Sequence, residues 1–260
     1  MSISENIRNA GVVGAGGAGF PSHVKASSKV DCVIANGAEC EPLIHKDYEL
    51  MLHYPAEVAR GLRLLMESTG AGAGIVGIKQ KNKVVIEAIS KSLDPVSTKV
   101  HPLGDFYPSG DEYILVYEAT KRLIPPKGIP LDVGIVVNNV ETLYNIARAA
   151  EGYAVTEKFI TVAGAVRRPG SFRAPIGMSF RKAIEAAGGF SYPGSKGFAV
   201  FVGGVMMGKL EFNLELPVTK TVAGLVVLPV EHTLVQRKHL PSASMHRIGK
   251  SACDQCTYCT

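Results

Sequence analysis

Between residues 30 and 152, short apolar runs alternate with longer stretches of helical spacing. This alternation limits the folds open to the chain more than any other feature. "VDCVIA" (30–35), "GAGIVGIK" (72–79) and "DVGIVVN" (132–138) read as buried strands. "PAEVARGLRLLMES" (55–68), "NKVVIEAISKSL" (82–93), "DEYILVYEATKRL" (111–123) and "VETLYNIARAAEG" (140–152) read as helices. Pro55 suits a first helical turn, and Gly152 suits a helix end. "TKVHPL" (98–103) adds a short strand. Strands that are apolar throughout and separated by helices predict an α/β fold, a parallel sheet with helices on both faces.

After Gly152 the texture changes. "KFITVAGAVRRPGSFRAP" reads as two strands joined by a turn, with Pro169-Gly170 at the centre of a type II turn. "SFRKAIEAAGG" (179–189) is one short helix, and "FAVFVGGVMMGKL" and "TVAGLVVLP" supply further strands. Several strands around a single helix predict a small α+β module. From about residue 234 the chain turns polar, and "QRKHLPSASMHRIGKSA" reads as an irregular linker. The expected division is therefore 1–152, 153–233 and 234–260.

Composition excludes several classes. The 260 residues are 46% hydrophobic and 20% charged, as in an ordinary globular protein. No apolar run approaches the roughly 20 residues that span a bilayer, so no transmembrane segment is expected. "MSISENIRNAG" lacks the pattern of a secretory signal, which makes a cytoplasmic location the expectation. The net charge of +5 is spread without an aromatic-interleaved basic stripe, so nucleic acid is not an expected partner. Five cysteines do not suggest a disulfide framework, and Cys32 and Cys40 read as buried structural thiols.

"GVVGAGGAGFP" contains Gly14, Gly16 and Gly19 in the spacing G-x-G-x-x-G, with Glu39 and Glu41 some twenty residues on. A dinucleotide fingerprint needs a strand before such a loop and a helix opening at its end. Here only Gly11-Val12-Val13 precede it, and Pro21 with "SHVKASSK" makes a poor long helix. The loop's own chemistry remains. Five glycines in residues 11 to 19 let backbone N–H groups approach an anion, with Lys25 near in sequence. A turn that serves only packing is the alternative.

Four stretches, "GAGGAGFPSHVK" (14–25), "ANGAECEP" (35–42), "YPSGDE" (107–112) and "NNVET" (138–142), stand in an order and spacing that resembles the flavin-binding subunit of respiratory complex I and its relatives. Those relatives are the RnfC-type proteins of ferredoxin:NAD oxidoreductases and the cobalamin reductases of propanediol-utilisation microcompartments. "YPSGDE" and the short N-terminus are most similar to the last group. The module after residue 152, with "VAGAVRRPGSF", resembles the β-grasp, SLBB-type domain found next in this family.

The resemblance implies a parallel-sheet flavin-binding domain whose glycine loop wraps FMN. Gly14, Gly16, Gly17 and Gly19 would face the flavin and its phosphate, with Lys25 nearby and Phe20 as an aromatic platform for the nicotinamide nucleotide. Asn36, Glu39 and Glu41 match an acidic loop against the isoalloxazine and NADH. Gly110, Asp111 and Glu112 match a turn lining the same pocket. Asn138, Asn139 and Thr142 match residues that hydrogen-bond the ribityl chain and phosphate. From the residues alone, Asn138-Asn139 also read as an ordinary helix cap, and Glu39 and Glu41 as loop solvators. Two positions depart from complex I: its aspartate two residues after the matching asparagine is Ala38 here, and its arginine after the first loop glycine is Ala15.

"SACDQCTYCT" at the end places Cys253, Cys256 and Cys259 in the Cys-x-x-Cys-x-x-Cys opening of a bacterial ferredoxin run, whose fourth cysteine lies beyond. The expectation is a sequence cut inside an iron–sulfur domain that carries 4Fe-4S clusters in the whole protein. A zinc site completed by His239 or His246 fits the spacing less well. Together these imply an NADH-dependent FMN oxidoreductase passing electrons through clusters to an acceptor. By closest resemblance the acceptor is cobalamin or a cobalamin-handling protein, among other proteins of a bacterial microcompartment. An Rnf-type electron-input protein acting on ferredoxin is one alternative. A docking subunit that no longer binds flavin is the other.

Overall fold

The structure, a computed structural model, describes residues 2–252 apart from 193 and 239. Cys253, Cys256, Cys259 and His239 lie outside the described residues.

The chain opens with α1 (Ile3–Asn9), capped by Ser2 and Glu5, then the glycine loop and the short α2 (Ser22–Ala26). The alternating pattern follows: β1 (Cys32–Asn36), α3 (Lys46–His53), α4 (Pro55–Thr69), β2 (Ala73–Lys79), α5 (Lys83–Ser90), β3 (Thr98–Leu103), α6 (Glu112–Thr120), a 3₁₀ turn at Pro130–Val133, β4 (Ile135–Asn139) and α7 (Val140–Ala150). The strands form a parallel sheet in the order β3-β2-β1-β4.

Strand alternation sends side chains to opposite faces, and both faces are covered. Val33, Ala35, Val76, Ile78 and Val136 pack beneath α1, α4, α5 and α7. Cys32, Ile34, Ile75, Ile135 and Val137 pack against Leu115 and Val116 of α6. Helices α4 and α7 meet at Gly61, where a Cβ would stand 1.9 Å from the carbonyl oxygen of Leu143, so only glycine admits this approach. The expected fold class is observed, and α1 and α3 are additions to it.

The second sheet is built from β5 (Glu157–Gly164), β6 (Gly170–Pro175), β7 (Phe198–Val202), β8 (Lys209–Glu211) and β9 (Gly224–Pro229), in the order β6-β5-β9-β7-β8. Helix α8 (Phe180–Ala186) lies between β6 and β7 in sequence, and its Phe180, Ala183 and Ile184 pack on one face of the sheet. β5 and β9 are parallel neighbours and the other pairs are antiparallel.

Two local expectations fail. Gly170 is the first residue of β6, pairs with Val162 and has no positive φ, so Pro169-Gly170 is not a type II turn. The bend comes earlier, at Gly164 with φ 85°. The described residues between 234 and 252 are not irregular: α9 (Thr233–Lys238) buries Val235 against the second sheet, and α10 (Ser242–Ala252) follows Pro241. The polar composition hid α9 because a single inward residue holds it.

Candidate functional site

In the order β3-β2-β1-β4 the chain winds outward from β1 in one direction and returns to the other side of β1 for β4. Ligands of open α/β sheets bind where the order reverses, beyond the carboxyl ends of the strands. A cavity of about 540 Å³ opens at this point, against Asn36 at the end of β1 and Asn138 and Asn139 at the end of β4. That volume is within the roughly 300–1,000 Å³ usual for cofactor pockets.

The sequence-expected residues converge here from four separate segments. Gly14, Gly16, Phe20 and Lys25 come from the glycine loop and α2, and Asn36, Glu39 and Glu41 from the loop after β1. Gly110, Asp111 and Glu112 come from the turn before α6, and Asn138 and Asn139 from β4. Gly17, Gly19 and Thr142 do not line it. Thr142 is fully buried, and its hydroxyl accepts the N–H of Ala15, tying the glycine loop to α7. Gly17, at φ 120°, supplies the backbone turn of the loop.

Each side chain has a local reason for its place. The Asn36 Nδ2 donates to the Gly110 carbonyl at 2.8 Å, and the Cys40 sulfur accepts the Gly110 N–H at 3.1 Å, pinning the two loops together. Asp111 caps α6, accepting from Tyr113 and Ile114. Asn139 caps α7 through the Glu141 N–H and donates to Asp47 at 2.7 Å, so the cap reading of that residue holds. Asn138 behaves differently: it is buried, and its Nδ2 has no protein partner. Lys25 donates to the Val137 carbonyl at 2.6 Å and sits 5.4 Å from the Phe20 ring centroid. Burial lowers its pKa, with the Glu112 charge opposing the shift.

Sequence reasoning missed a buried charge cluster in the cavity wall, where Lys46 and Asp47 join Glu39 as lining residues. Lys46 pairs with Asp47 at 2.5 Å and with Glu141 at 2.9 Å. Lys158, on β5 of the second sheet, pairs with the same Glu141 oxygen and donates to the Ala15 carbonyl at 3.1 Å. The other Glu141 oxygen accepts the Phe159 N–H at 3.1 Å. Glu39 accepts the N–H groups of Asp47 and Tyr48 at the start of α3, at 2.8 and 3.1 Å. Burial and the Asp47 charge push the Glu39 carboxyl up to about 8, against the pull of Lys46 and those N–H groups. Burial and the Lys46 charge bring the Lys158 ammonium down to about 8, against Glu141. The one available signal was the "HKD" that follows the acidic loop (45–47), where opposite charges adjoin at the start of α3.

Ala15 and Ala38 are both buried. Cys40 lines the cavity rather than filling a core, whereas Cys32 is buried and its thiol is pushed up by burial. No group of metal-ligating side chains is present among the described residues, and no described helix is long and apolar enough to cross a membrane.

A ligand crevice at the switch point of a parallel sheet, walled by a glycine loop and backed by a small β-rich module, defines a class of cofactor-binding α/β proteins. Within that class, the chain belongs to the family of the Nuo51 FMN-binding domain, whose model matches residues 7–148. An SLBB domain matches residues 159–210. The chain is 45% identical over its whole length to the cobalamin reductase PduS of Citrobacter freundii, covering 57% of that protein. It is 37% identical to a component of the Na⁺-translocating ferredoxin:NAD⁺ oxidoreductase complex of Acetobacterium woodii, covering 94% of this chain and 56% of that one. Among solved structures it is similar to an NAD⁺-reducing [NiFe]-hydrogenase in the air-oxidized state, with a TM-score of 0.74, 25% identity, and coverage of 88% of this chain and 47% of that one. The chain thus spans somewhat over half the length of the curated relatives it matches.

Proposed function

We propose that this chain is the electron-input part of an FMN oxidoreductase that accepts hydride from NADH and passes electrons through iron–sulfur clusters to cobalamin. The observation that carries the flavin part is the unpartnered, buried Nδ2 of Asn138, a residue that lines a switch-point cavity. A buried amide donor without a partner is costly, and a ribityl hydroxyl or phosphate oxygen satisfies it. The glycine loop and Lys25 offer donors and positive charge suited to a phosphate. Asn36, Gly110, Asp111 and Glu112 form the polar wall left for the ring system, and Phe20, 42% exposed, is an aromatic face for the nicotinamide.

Bound FMN supplies the conversion between two-electron exchange with nicotinamide and one-electron exchange with clusters. The residues of the chain position the reactants, exclude water at the sheet ends and hold charge around the ring. Gly17, Gly19 and Thr142 serve by shaping the loop. Cys253, Cys256 and Cys259 would begin the cluster ligand set of the whole protein. Likeness to the PduS reductases supports cobalamin as acceptor and a microcompartment as the setting. Likeness to the ferredoxin:NAD⁺ oxidoreductase component supports a second reading, electron exchange with ferredoxin. Anaerobic addition of NADH to the FMN-loaded chain tests the input half: bleaching of the flavin absorbance is expected. A bound flavin that NADH leaves unchanged would overturn NADH as donor and assign the loss to Ala15 and Ala38.

A further inference from the structure

The acidic loop after β1, residues 37–45, is gripped from both modules. On the side of the first sheet Glu39 caps α3. On the other side Glu41 crosses to the β7–β8 hairpin, where its two carboxylate oxygens accept the backbone N–H groups of Met206 at 2.9 Å and Met207 at 2.6 Å. The hairpin is shaped around this contact. Gly204 holds φ 120°, and a Cβ there would stand 2.2 Å from the Glu41 Oε2. Three residues after Glu41, Ile44 is buried among Ala199, Phe201 and Val226 of the second sheet. The N–H of His45 then donates to the Thr161 hydroxyl on β5 at 2.9 Å. Gly203 and Ala223, both from the second module, line the cavity itself.

We infer that Glu41 is a positioning residue: it latches the β7–β8 hairpin of the second module onto the acidic loop, and this latch makes the second module one wall of the flavin site. The inference rests on the flavin reading above. One acceptor site on each Glu41 oxygen is taken by a main-chain donor of the hairpin. The contact fixes where the loop carrying Glu39 and Cys40 stands relative to the strand ends. Ile44 and His45 carry the same docking further along the loop, so hairpin and loop move as one body.

The test uses the whole chain and three variants, Glu41→Ala, Glu41→Gln and Gly204→Ala. Gly204→Ala perturbs the contact from the second module's side, by strain at a left-handed φ and by a methyl group against the Glu41 carboxylate. Three readouts are taken: amide hydrogen exchange of residues 203–208 without flavin, FMN affinity by fluorescence, and the NADH concentration that half-bleaches the FMN-loaded chain. The latch predicts that Glu41→Ala and Gly204→Ala each raise hairpin exchange about tenfold and weaken FMN by similar factors, and that the double variant is no worse than either. Glu41→Gln, which keeps one acceptor oxygen, falls between. Hairpin exchange and FMN affinity unchanged in Gly204→Ala, with Glu41→Ala affecting NADH alone, would overturn the inference and make Glu41 a nicotinamide ligand. Should the parent chain bind no FMN, the flavin reading fails and the wall assignment with it, while the exchange data still decide whether Glu41 holds the hairpin.

Discussion

Replacing Lys158 by methionine removes one charge from the cluster at the cavity wall while keeping most of the side chain's volume. With Glu39 protonated below its raised pKa of about 8, the cluster carries Lys46 and Lys158 against Asp47 and Glu141 and is neutral overall. Lys158→Met leaves Glu141, 0% exposed, with Lys46 at 2.9 Å and the Phe159 N–H at 3.1 Å, and Lys46 is already shared with Asp47. Removing one partner of a buried pair costs about 3–5 kcal/mol. The retained Lys46 and the relief of Lys158's own burial place this case near the lower end, about 3 kcal/mol. At about 2–4 °C per kcal/mol for a chain of this size, melting falls by roughly 6–12 °C. The assay is thermal unfolding by circular dichroism at neutral pH. Adding Glu141→Gln removes the stranded carboxylate, so the double variant should recover a good part of the loss. A single variant within about 1 kcal/mol of the parent, or a double variant as costly as both singles summed, would refute the argument that these charges form one coupled cluster.

The same cluster sets the pH dependence. Glu39, raised from 4.5 to about 8, holds a proton in the folded state that the unfolded chain releases, so its contribution is full below pH 4.5 and is lost as pH rises to about 8. Lys158, lowered from 10.5 to about 8, contributes in the opposite sense: stability is present above 10.5 and is lost as pH falls to about 8. Unfolding free energies from urea titrations across pH 5 to 10 should pass through a minimum near pH 8, with each limb sloping by at most about 1.4 kcal/mol per unit, and Glu39→Gln should flatten the acid limb. Gly61→Ala drives a methyl group into the Leu143 carbonyl and should cost about 3 kcal/mol, read as a lowered melting temperature. Asn138→Ala removes a donor that has no protein partner, so the flavin-free chain should melt close to the parent while FMN affinity weakens about tenfold.

The parallel sheet was legible because its strands are apolar on both faces and the helices between them carry clear spacing. Where a single contact holds an element, composition misled: α9 rests on Val235 and read as linker. The cavity wall was legible as four motifs far apart in sequence, which the switch point between β1 and β4 brings together. Two things were not visible. The carboxylates of Glu39 and Glu41 are engaged by main-chain N–H groups, which leave no mark on side-chain patterns. Lys158 lies in a stretch that reads simply as a strand, and its burial follows only from how the second sheet packs on the glycine loop.

The central claim is that the switch-point cavity holds FMN. It is tested most directly by titrating the purified chain with FMN and following flavin fluorescence, beside the same titration of Asn138→Ala. Saturable quenching at one FMN per chain, weakened in the variant, is the result this account predicts. No quenching in a chain shown to be folded by its thermal transition would contradict it and leave the docking subunit as the standing reading.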